Sequence, residues 1–479
     1  MRWTPESLAA AAHGRLLRRG SRPIAAAFID SRRAREDALF VPLTAPVAAR
    51  DGHAYLSAAV EGGASATLLA LGRPPPEGDL TIVEVEDTFV ALTTLARDAR
   101  AQIEGPVVAI TGSNGKTTTR AYIEAAMGTR FERVLCTQGN LNNHLGLPLT
   151  LVDGPEIPDA AVLELGMSAP GENDHLASVA RPSVHVITSI ALEHLEFMGT
   201  LEAIAAAEAE PIAHLRAGPG ADGAPRRPLL VVPGDEPSLV PHLPGPERGV
   251  TVLRFGRADA AVGGPLDVEI EAVSVGERTW ARLRVGEQRV EIRVRAFGAH
   301  NARNAAAALA VAMHLGIPLP AVVEALAQVE PVGDRGRLRA WGPHALIADC
   351  YNANPGSMVA ALDSLALLRE ARSGPLIAVL GDMLELGPNT LLLHAALGVH
   401  AADLGLDGVL GVGPLGAVIA EAARARGVAA VACEVEAVAE AASWVRGRLD
   451  PGHPGAVLFK ASRGVRLERV LEALTSMTP

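Results

Sequence analysis

The stretch of this chain most suggestive of chemistry runs from Thr111 to Thr118 and reads TGSNGKTT. A strand-like run, PVVAIT, precedes it, and a helical pattern, TTRAYIEAAM, follows it. Glycines let backbone N–H groups approach phosphate oxygens, and the start of a helix adds partial positive charge. In such a loop Lys116 would bridge the β- and γ-phosphates of a nucleotide, and the Thr117 hydroxyl would ligate Mg²⁺. The alternative is a purely structural strand-to-helix turn, since the spacing is shorter than the common Walker pattern.

Lysine is almost absent from the chain. Only Lys116 and Lys460 occur in 479 residues, and the other 41 of the 43 basic residues are arginine. Both lysines lie in glycine-flanked motifs, which suggests chemistry that needs a compact ammonium on a flexible stem rather than a planar guanidinium. The alternative is a strong arginine bias that has left two lysines by accident.

Two further candidate metal ligands follow predicted buried strands. AAVLELG places Glu164 at the carboxyl end of a strand, and VHVITS leads to His194. In an open parallel sheet these ends share one edge with the phosphate loop, which is where ligands bind. A carboxylate suits Mg²⁺ well and an imidazole less so. The alternative for His194 is a structural histidine whose hydrogen bonds are satisfied.

Composition excludes several classes of protein. Aromatic residues make up 3% of the chain and the net charge is −11, so neither a stacking platform for nucleic acid nor a general polyanion-binding surface is expected. Three widely spaced cysteines favour reduced thiols over a disulfide framework or a zinc site. The N-terminus lacks the apolar centre of a signal peptide, and no window approaches the length of a membrane span. We therefore expect a soluble, cytoplasmic protein with no membrane span and no nucleic-acid partner.

The pattern of elements predicts an α/β protein of three domains. Residues 1–103 mix short strands with helices. Residues 104–331 begin with the phosphate-loop strand, contain a Gly/Pro-rich surface loop at 216–228, and carry alternating stretches (DVEIEAVSV, RVEIRVRAF) typical of antiparallel strands. Residues 332–479 alternate strand and helix, which predicts a parallel, doubly wound sheet.

One glycine motif is a candidate for a different function. Residues 411–416 read GVGPLG, a formal match to the dinucleotide-binding pattern between a predicted strand and helix. Pro414 removes one N–H from the turn, and a single match is weak. We interpret the motif as strand–helix packing, with dinucleotide binding as the alternative.

Taken together, these segments resemble a Mur ligase over nearly the whole chain. TGSNGKTTT resembles the family's ATP loop, and IDSRR with LFVPL and RDGHAYL resembles the N-terminal domain that holds uridine diphosphate. The other matching segments, in chain order, are GNLNNHLGLPLTL, ELGMSAPGE, EHLEFMGT, GAHNARNAAAA, DCYNANPGSM, LGDMLELG and FKASRG. The resemblance implies a small α/β N-terminal domain that binds the UDP-muramyl substrate, a central P-loop ATPase domain with a mostly parallel sheet, and a C-terminal Rossmann-like ligase domain.

The resemblance also implies a reaction in peptidoglycan precursor synthesis. GNLNNHLGLPLTL is close to the stretch that marks the member acting on UDP-MurNAc-tripeptide and D-Ala-D-Ala. ATP would phosphorylate the terminal carboxylate of the tripeptide to an acyl phosphate, and the amine of D-Ala-D-Ala would attack it. The products would be UDP-MurNAc-pentapeptide, ADP and phosphate. ATP and two Mg²⁺ ions are the implied cofactors, and a monomer is expected.

Residue roles follow from the same resemblance. Arg337 would approach the γ-phosphate, Asp349 would hold the ribose, and His300 and Asn301 would lie on the adenine side. The implied catalytic residues are Lys116, Glu164, His194 and Glu208. The implied metal ligands are Thr117, Glu164, His194 and Glu208. The implied ATP-binding residues are Gly112, Ser113, Asn114, Gly115, Lys116, Thr117, Thr118, His300, Asn301, Arg337, Asp349, Tyr351 and Asn352. The implied substrate-binding residues are Ser31 and Arg32 for uridine diphosphate, Asn142 and Asn143 for the muramyl peptide, and Lys460.

The main departure from the family is at Glu208. Mur ligases typically carry a lysine there, carbamylated so that its carboxylate supports the second Mg²⁺. Glutamate keeps a negative oxygen without needing CO₂, but it is shorter by roughly 3–4 Å at ordinary bond lengths. Either a water bridges the gap or the helix lies closer to the site. The alternative is an ordinary exposed helix glutamate with the metal role lost.

Smaller departures from the family pattern are Ser189 where asparagine is usual, Ala348 where aspartate is usual and Ala461 where glycine is usual.

Three competing functions remain open. The tripeptide-forming ligase usually shows Asp-Asn-Pro-Arg where this chain has Tyr-Asn-Ala-Asn-Pro, and a folylpolyglutamate synthetase would not need the N-terminal domain. Glu208 and Ser189 keep open a nucleotide-binding paralogue that has lost turnover.

Overall fold

The computed structural model describes residues 3–193 and 195–478. His194, one of the predicted metal ligands, lies outside the described residues. The chain forms three main sheets and a short hairpin, and helices cover the sheets. The predicted α/β class is confirmed.

The N-terminal sheet is small and mixed. Its strands are β1 (Arg15–Arg18), β2 (Ala26–Phe28), β3 (Ala38–Phe40), β4 (Ala64–Ala70) and β5 (Thr81–Val85), and its helices are α1 (Pro5–Ala11), α2 (Leu56–Glu61) and α3 (Thr88–Ala101). The strand order is β1-β5-β4-β3-β2, with only β1 antiparallel to its neighbour. Asp87 caps α3 by accepting from the N–H groups of Phe89 and Val90. The buried face of α3 joins the N-terminal sheet to the core of the next unit.

The central sheet carries the phosphate loop. Its strands are β6 (Val107–Thr111), β7 (Val134–Cys136), β8 (Ala160–Glu164), β9 (Val184–Ile187), β12 (Leu229–Pro233), β13 (Thr251–Gly256), β14 (Val268–Val275), β15 (Thr279–Val285) and β16 (Gln288–Val294). A separate hairpin, β10 (Gly218–Pro219) with β11 (Pro225–Arg226), lies within the predicted surface loop. The order is β16-β15-β14-β13-β12-β9-β6-β8-β7, and β15 pairs antiparallel with both β14 and β16. The antiparallel strands that the alternating sequence predicted in this part of the chain are therefore confirmed.

Helices of the central unit pack on both faces of its sheet. They are α4 (Lys116–Gly128), α5 (Gly146–Val152), α6 (Glu172–Ala180), α7 (Leu195–Met198), α8 (Leu201–Ala209), α9 (His300–Leu315) and α10 (Leu319–Gln328). Small alanines let α9 pack closely against α4 and the sheet, and nearly all of α9 is buried. The start of α9 is thereby held beside the phosphate loop.

The C-terminal sheet is doubly wound. Its strands are β17 (Arg337–Trp341), β18 (His344–Asp349), β19 (Leu376–Gly381), β20 (Gly408–Val412), β21 (Ala429–Cys433) and β22 (Ala456–Lys460), and its helices are α11 (Pro355–Ala366), α12 (Thr390–Asp403), α13 (Pro414–Ala425), α14 (Val438–Arg446) and α15 (Glu468–Thr475). The order is β17-β18-β22-β19-β20-β21, parallel except for β17. Helices α11 to α13 cover one face, and α14 and α15 cover the other.

The carboxyl edges of the two parallel sheets face each other. Asn354, which caps α11, donates from Nδ2 to Oδ1 of Asn114 in the phosphate loop at 2.9 Å. The N–H of Glu196 in α7 donates to the carbonyl of Glu385 after β19 at 3.3 Å. In parallel sheets these edges are where ligands bind, so a ligand is expected between the two sheets.

Candidate nucleotide and metal site

Two glycines shape the phosphate loop. Gly112 follows β6 with φ +114°, and Gly115 precedes α4 with φ +87°. A Cβ on Gly112 would lie 2.3 Å from Oγ1 of Thr188, and one on Gly115 would lie 2.4 Å from Oδ1 of Asn304. Both positions require glycine for backbone conformation and for space.

The segment that follows β9, residues 188–189, supports this loop through hydrogen bonds. The N–H of Ser113 donates to the carbonyl of Ser189, and the N–H of Asn114 donates to the Ser189 hydroxyl, both at 2.9 Å. The Thr188 hydroxyl donates to the Asn114 carbonyl at 2.6 Å. Ser189, a departure from the family pattern, thus supports the loop in this chain.

Lys116 lies against the loop. Its Nζ donates to the Gly112 carbonyl and lies 3.5 Å from the Ser113 carbonyl oxygen. The ammonium is therefore held among loop oxygens at the start of α4, where a phosphate would meet loop N–H groups and a cation together.

Thr117 and Glu164 are neighbours, as the sequence predicted. Glu164 ends β8, is 2% exposed, and its Oε2 accepts from the Thr117 hydroxyl at 3.3 Å. Its other oxygen, Oε1, accepts from Nε of Arg120 at 2.9 Å, and Arg120 also pairs with Glu124 at 2.6 Å. Sequence reasoning missed Arg120, although its position one helical turn after Lys116 was an available signal.

Glu208 is buried, so the alternative of an ordinary exposed helix glutamate does not hold. The side chain is on α8 and the residue is 1% exposed. Its Oε2 accepts from the Gly112 N–H at 2.8 Å and from Nδ2 of Asn173 at 3.2 Å. The pKa of Glu208 is raised to about 7, mainly by burial. The charge of Lys116 opposes this rise, and the charge of Glu193 adds to it. The helix therefore lies close enough for this short side chain to reach the loop.

The donor chemistry fits a hard cation. The Thr117 hydroxyl and the Glu164 carboxylate supply adjacent oxygens, the kind of ligand that Mg²⁺ prefers. Within residues 3–193 and 195–478, no group of three or more His, Cys, Asp or Glu side chains is arranged to hold a metal. A complete site would thus depend on ligands beyond this pair, such as water, phosphate oxygens or His194.

The predicted adenine-side residues open α9. Asn301 donates from Nδ2 to the Phe297 carbonyl at 2.8 Å and accepts from Asn304 at 3.1 Å. Burial lowers the pKa of His300, and its Nδ1 is a buried polar atom with no hydrogen-bond partner in the described part of the chain. A neutral imidazole with an unsatisfied nitrogen suits a bound ligand that supplies the missing partner.

The C-terminal sheet contributes Asp349 at the end of β18 and Lys460 at the end of β22. Lys460 donates from Nζ to Oδ2 of Asp349 at 2.8 Å and to the Asn352 carbonyl at 3.0 Å. Tyr351 lies nearby with the guanidinium of Arg335 4.0 Å above its ring centroid.

Arg337 is not brought to the phosphate loop in this conformation. Its guanidinium donates to the Gly333 carbonyl at 3.1 Å and to the Pro331 carbonyl at 2.5 Å, both in the segment between the two sheets. A γ-phosphate contact from Arg337 would require these bonds to break.

The predicted substrate-binding residues lie elsewhere in the fold. Arg32 is exposed and pairs with Asp30 at 2.7 Å beside Ser31, in the N-terminal unit. Asn143 uses Oδ1 to accept from the N–H groups of Leu145 and Gly146 at the start of α5, at 3.1 and 2.9 Å. Asn142 adjoins Gly166, whose N–H donates to its carbonyl at 2.9 Å. Asn143 is therefore part of a helix start as well as a candidate peptide contact.

The GVGPLG motif packs a strand against a helix. A Cβ on Gly411 would lie 1.9 Å from the Gly416 carbonyl oxygen. The N-terminus of α13 is capped by Asp382, whose Oδ1 accepts from the N–H groups of Leu415 and Gly416 at 2.9 Å each. The chain's own carboxylate occupies the place where a dinucleotide phosphate would bind, which favours the packing interpretation.

Known families match the central and C-terminal sheets separately. Residues 110–312 match the Mur ligase middle domain, and residues 336–463 match the Mur ligase glutamate ligase domain. The UDP-N-acetylmuramoyl-tripeptide–D-alanyl-D-alanine ligase of Bacillus subtilis is 35% identical over 454 residues, which is 93% of this chain and 92% of that protein. This chain belongs to the Mur ligase family.

Solved structures agree with this assignment. MurF from Acinetobacter baumannii matches this Mur ligase with a TM-score of 0.83 and 28% identity over 99% of both chains. MurF ligase from Thermotoga maritima in complex with ADP matches with a TM-score of 0.77 and 28% identity, over 94% of this chain and 97% of that one. The family predicted from the sequence is confirmed, together with the three-domain fold class.

In the part of this Mur ligase that the structure describes, every helix is too short or too polar for a bilayer.

Proposed function

We propose that this Mur ligase uses ATP to join D-Ala-D-Ala to UDP-MurNAc-tripeptide, giving UDP-MurNAc-pentapeptide, ADP and phosphate. The observation that carries the proposal is the cluster of Lys116 with the buried Thr117, Glu164 and Glu208 around one phosphate loop, facing the Asp349 edge of a second sheet. The 35% identity with the Bacillus subtilis ligase over 92% of its length supports the choice of substrates.

The proposed division of labour follows the three sheets. Residues 1–103 would hold the UDP-muramyl end through Ser31 and Arg32, residues 104–331 would bind ATP, and residues 332–479 would complete the cleft. The peptide carboxyl must then lie between the central and N-terminal units, which share a continuous apolar core. A shared core suits the holding of a long substrate, because it limits relative motion of the two units.

ATP would lie across the cleft. Loop N–H groups and Lys116 would hold its phosphates, Asn301 and His300 would contact adenine, and Asp349 would accept from the ribose. The carboxylate oxygen of the tripeptide would attack the γ-phosphorus, and ADP would leave. The D-Ala-D-Ala amine would then attack the acyl carbon, and the C–O bond to phosphate would break.

The chain's contribution to this chemistry is positioning and charge neutralisation. Lys116 would offset charge on the β- and γ-phosphates, and the interdomain contact of Asn354 with Asn114 would help exclude water from the acyl phosphate. When bound, Mg²⁺ would neutralise the transferring phosphoryl group, with Thr117 and Glu164 holding one ion and Glu208 and His194 supporting a second.

The reaction would take place in the cytoplasm, where ATP is available, and the enzyme would act as a monomer. All the candidate residues come from one chain, and each substrate is a small molecule. The described residues need no second copy to assemble the phosphate loop and its partners.

Acceptor-dependent phosphate release tests the proposal. The enzyme would be incubated with UDP-MurNAc-tripeptide, ATP and Mg²⁺, and phosphate and product mass would be followed with and without D-Ala-D-Ala. We expect phosphate and pentapeptide product only with the dipeptide. Release with free lysine or diaminopimelate on UDP-MurNAc-dipeptide would indicate the tripeptide-forming step instead. ATP binding with no release under any of these conditions would indicate a paralogue without turnover.

A further inference from the structure

Lys460 is enclosed at the end of β22 rather than open to a substrate. The residue is 3% exposed, and Nζ donates to Oδ2 of Asp349 at 2.8 Å and to the Asn352 carbonyl at 3.0 Å. Asp349 and Lys460 are lateral partners at the carboxyl ends of adjacent parallel strands, with Leu380 of β19 on the other side. A buried ammonium must be paired, and here two oxygens of one loop provide that pairing.

The loop that Lys460 holds leads directly to the phosphate loop. It runs from Asp349 to Asn354, and Lys460 fixes it at its first residue and again at the Asn352 carbonyl. Two residues later, Asn354 caps α11 through the Ser357 N–H at 2.8 Å and donates to Asn114 at 2.9 Å. One ammonium therefore links the end of the C-terminal sheet to a contact with the ATP loop.

Asp349 retains one free oxygen in this arrangement. Lys460 bonds to Oδ2, and Oδ1 has no hydrogen-bond partner within residues 3–193 and 195–478. The side chain is 16% exposed, so Oδ1 can still meet a ligand while the carboxylate is held in one orientation. A carboxylate fixed at one oxygen and open at the other suits a neighbouring pair of ribose hydroxyls.

We propose that Lys460 is a positioning residue that orients Asp349 toward the ribose hydroxyls of the nucleotide and sets the loop that carries Asn354. The inference rests on the proposed ATP-dependent function. It accounts for the retention of lysine in a chain that otherwise uses arginine. A compact ammonium can reach a carboxylate and a carbonyl in an enclosed site, whereas a guanidinium has a larger planar head with fixed donor directions.

Nucleotide discrimination tests this role. The apparent KM for ATP and for 3′-deoxyATP would be measured for the wild type, Lys460→Met and Lys460→Gln, with ADP binding followed by calorimetry. In the wild type we expect 3′-deoxyATP to bind about tenfold more weakly, since it loses one charge-assisted hydrogen bond. In both variants we expect the apparent KM for ATP to rise about tenfold and the KM values for ATP and 3′-deoxyATP to become nearly equal.

A matched control separates positioning from simple stability. Arg369 pairs with Asp407 at 2.7 Å near the opposite end of the same sheet. Arg369→Met removes an ion pair of the same domain and should leave the ratio of the two KM values unchanged. Asp349→Asn should abolish discrimination, and adding Lys460→Gln to it should weaken ATP little further, because the two residues act as one unit.

The possible outcomes are distinct. Full discrimination in Lys460→Gln, with only a lower melting temperature, would overturn the inference and leave the proposed function intact. A wild type that uses ATP but ignores the 3′-hydroxyl would also overturn it. A wild type that binds no ATP would contradict the proposed function itself. If Lys460→Met does not fold, Lys460→Gln decides, because its amide can still donate to the Asn352 carbonyl.

Discussion

Activity of this enzyme should not depend on CO₂ if Glu208 takes the role that the resemblance to Mur ligases gives to a carbamylated lysine. Its carboxylate already accepts from Gly112 at 2.8 Å and from Asn173 at 3.2 Å. Wild-type turnover in CO₂-depleted buffer should therefore be unchanged by added bicarbonate. The informative variant is Glu208→Lys, which restores the family residue and should become dependent on bicarbonate.

The size of the effect follows from the contacts of Glu208. Without the carboxylate, two buried donors lose their acceptor, which costs about 1–3 kcal/mol each in stability. A supporting ligand removed from a metal site lowers metal affinity or activity by about 10- to 100-fold. We therefore expect Glu208→Lys to lose about that much turnover without bicarbonate and to recover much of it at saturating bicarbonate. ATP affinity should change less, because Lys116 and the loop N–H groups remain.

The assay is initial phosphate release at fixed substrates, with bicarbonate varied after buffers are purged of CO₂. Glu202→Lys is the matched control, since Glu202 is exposed on the same helix and should give no bicarbonate response. Strong rescue of the wild type by bicarbonate would refute the reasoning. So would full turnover of Glu208→Lys in purged buffer, since the carboxylate would then be dispensable.

Three further predictions concern the loop, the core and the cleft. Lys116→Arg should lose nearly all turnover despite equal charge, because a guanidinium fork cannot replace a point ammonium in the phosphate cradle, and single-turnover phosphate release will measure it. Burial lowers the pKa of His185 to about 3, so this histidine stays neutral in the folded protein, whereas in the unfolded chain it gains a proton below about pH 6.5. The free energy of unfolding therefore falls as the pH falls. His185→Leu should remove about 2 kcal/mol of the loss between pH 7.5 and 5, as measured by urea unfolding. A non-hydrolysable ATP analogue with the tripeptide should reduce the radius of gyration of the protein. We expect the C-terminal unit to close on the central unit, so that Arg337 leaves the Pro331 carbonyl and reaches the γ-phosphate. Identical scattering profiles with and without these ligands would count against this closure.

Local patterns were enough to predict the phosphate loop and the end of β8. Strand β6 begins at Val107 and ends at Thr111, and α4 begins at Lys116, as the apolar run and the glycine turn indicated. Glu164 follows from the same logic, because a buried parallel strand delivers its last residue to the ligand edge. Edge strand β21 was missed, since its alanine-rich and partly exposed sequence carries no clear alternation.

Contacts between distant segments could not be predicted in this way. The alanine-rich sequence of α8 has no marked apolar face, so it did not reveal that Glu208 points inward. The pairing of Arg120 with Glu164 joins residues 44 apart, and the support of Asn114 by Ser189 joins residues 75 apart. Lys460 was recognised as unusual, but its partner Asp349 became clear only from the pairing of β18 with β22.

Transfer of ¹⁸O tests the central claim most directly. UDP-MurNAc-tripeptide would be labelled with ¹⁸O in the terminal carboxyl group and converted with ATP and D-Ala-D-Ala, and the phosphate released would be analysed by mass. If the γ-phosphorus is aimed at that carboxyl, each phosphate should carry one ¹⁸O atom from it. Phosphate free of the label, formed together with pentapeptide product, would contradict the account.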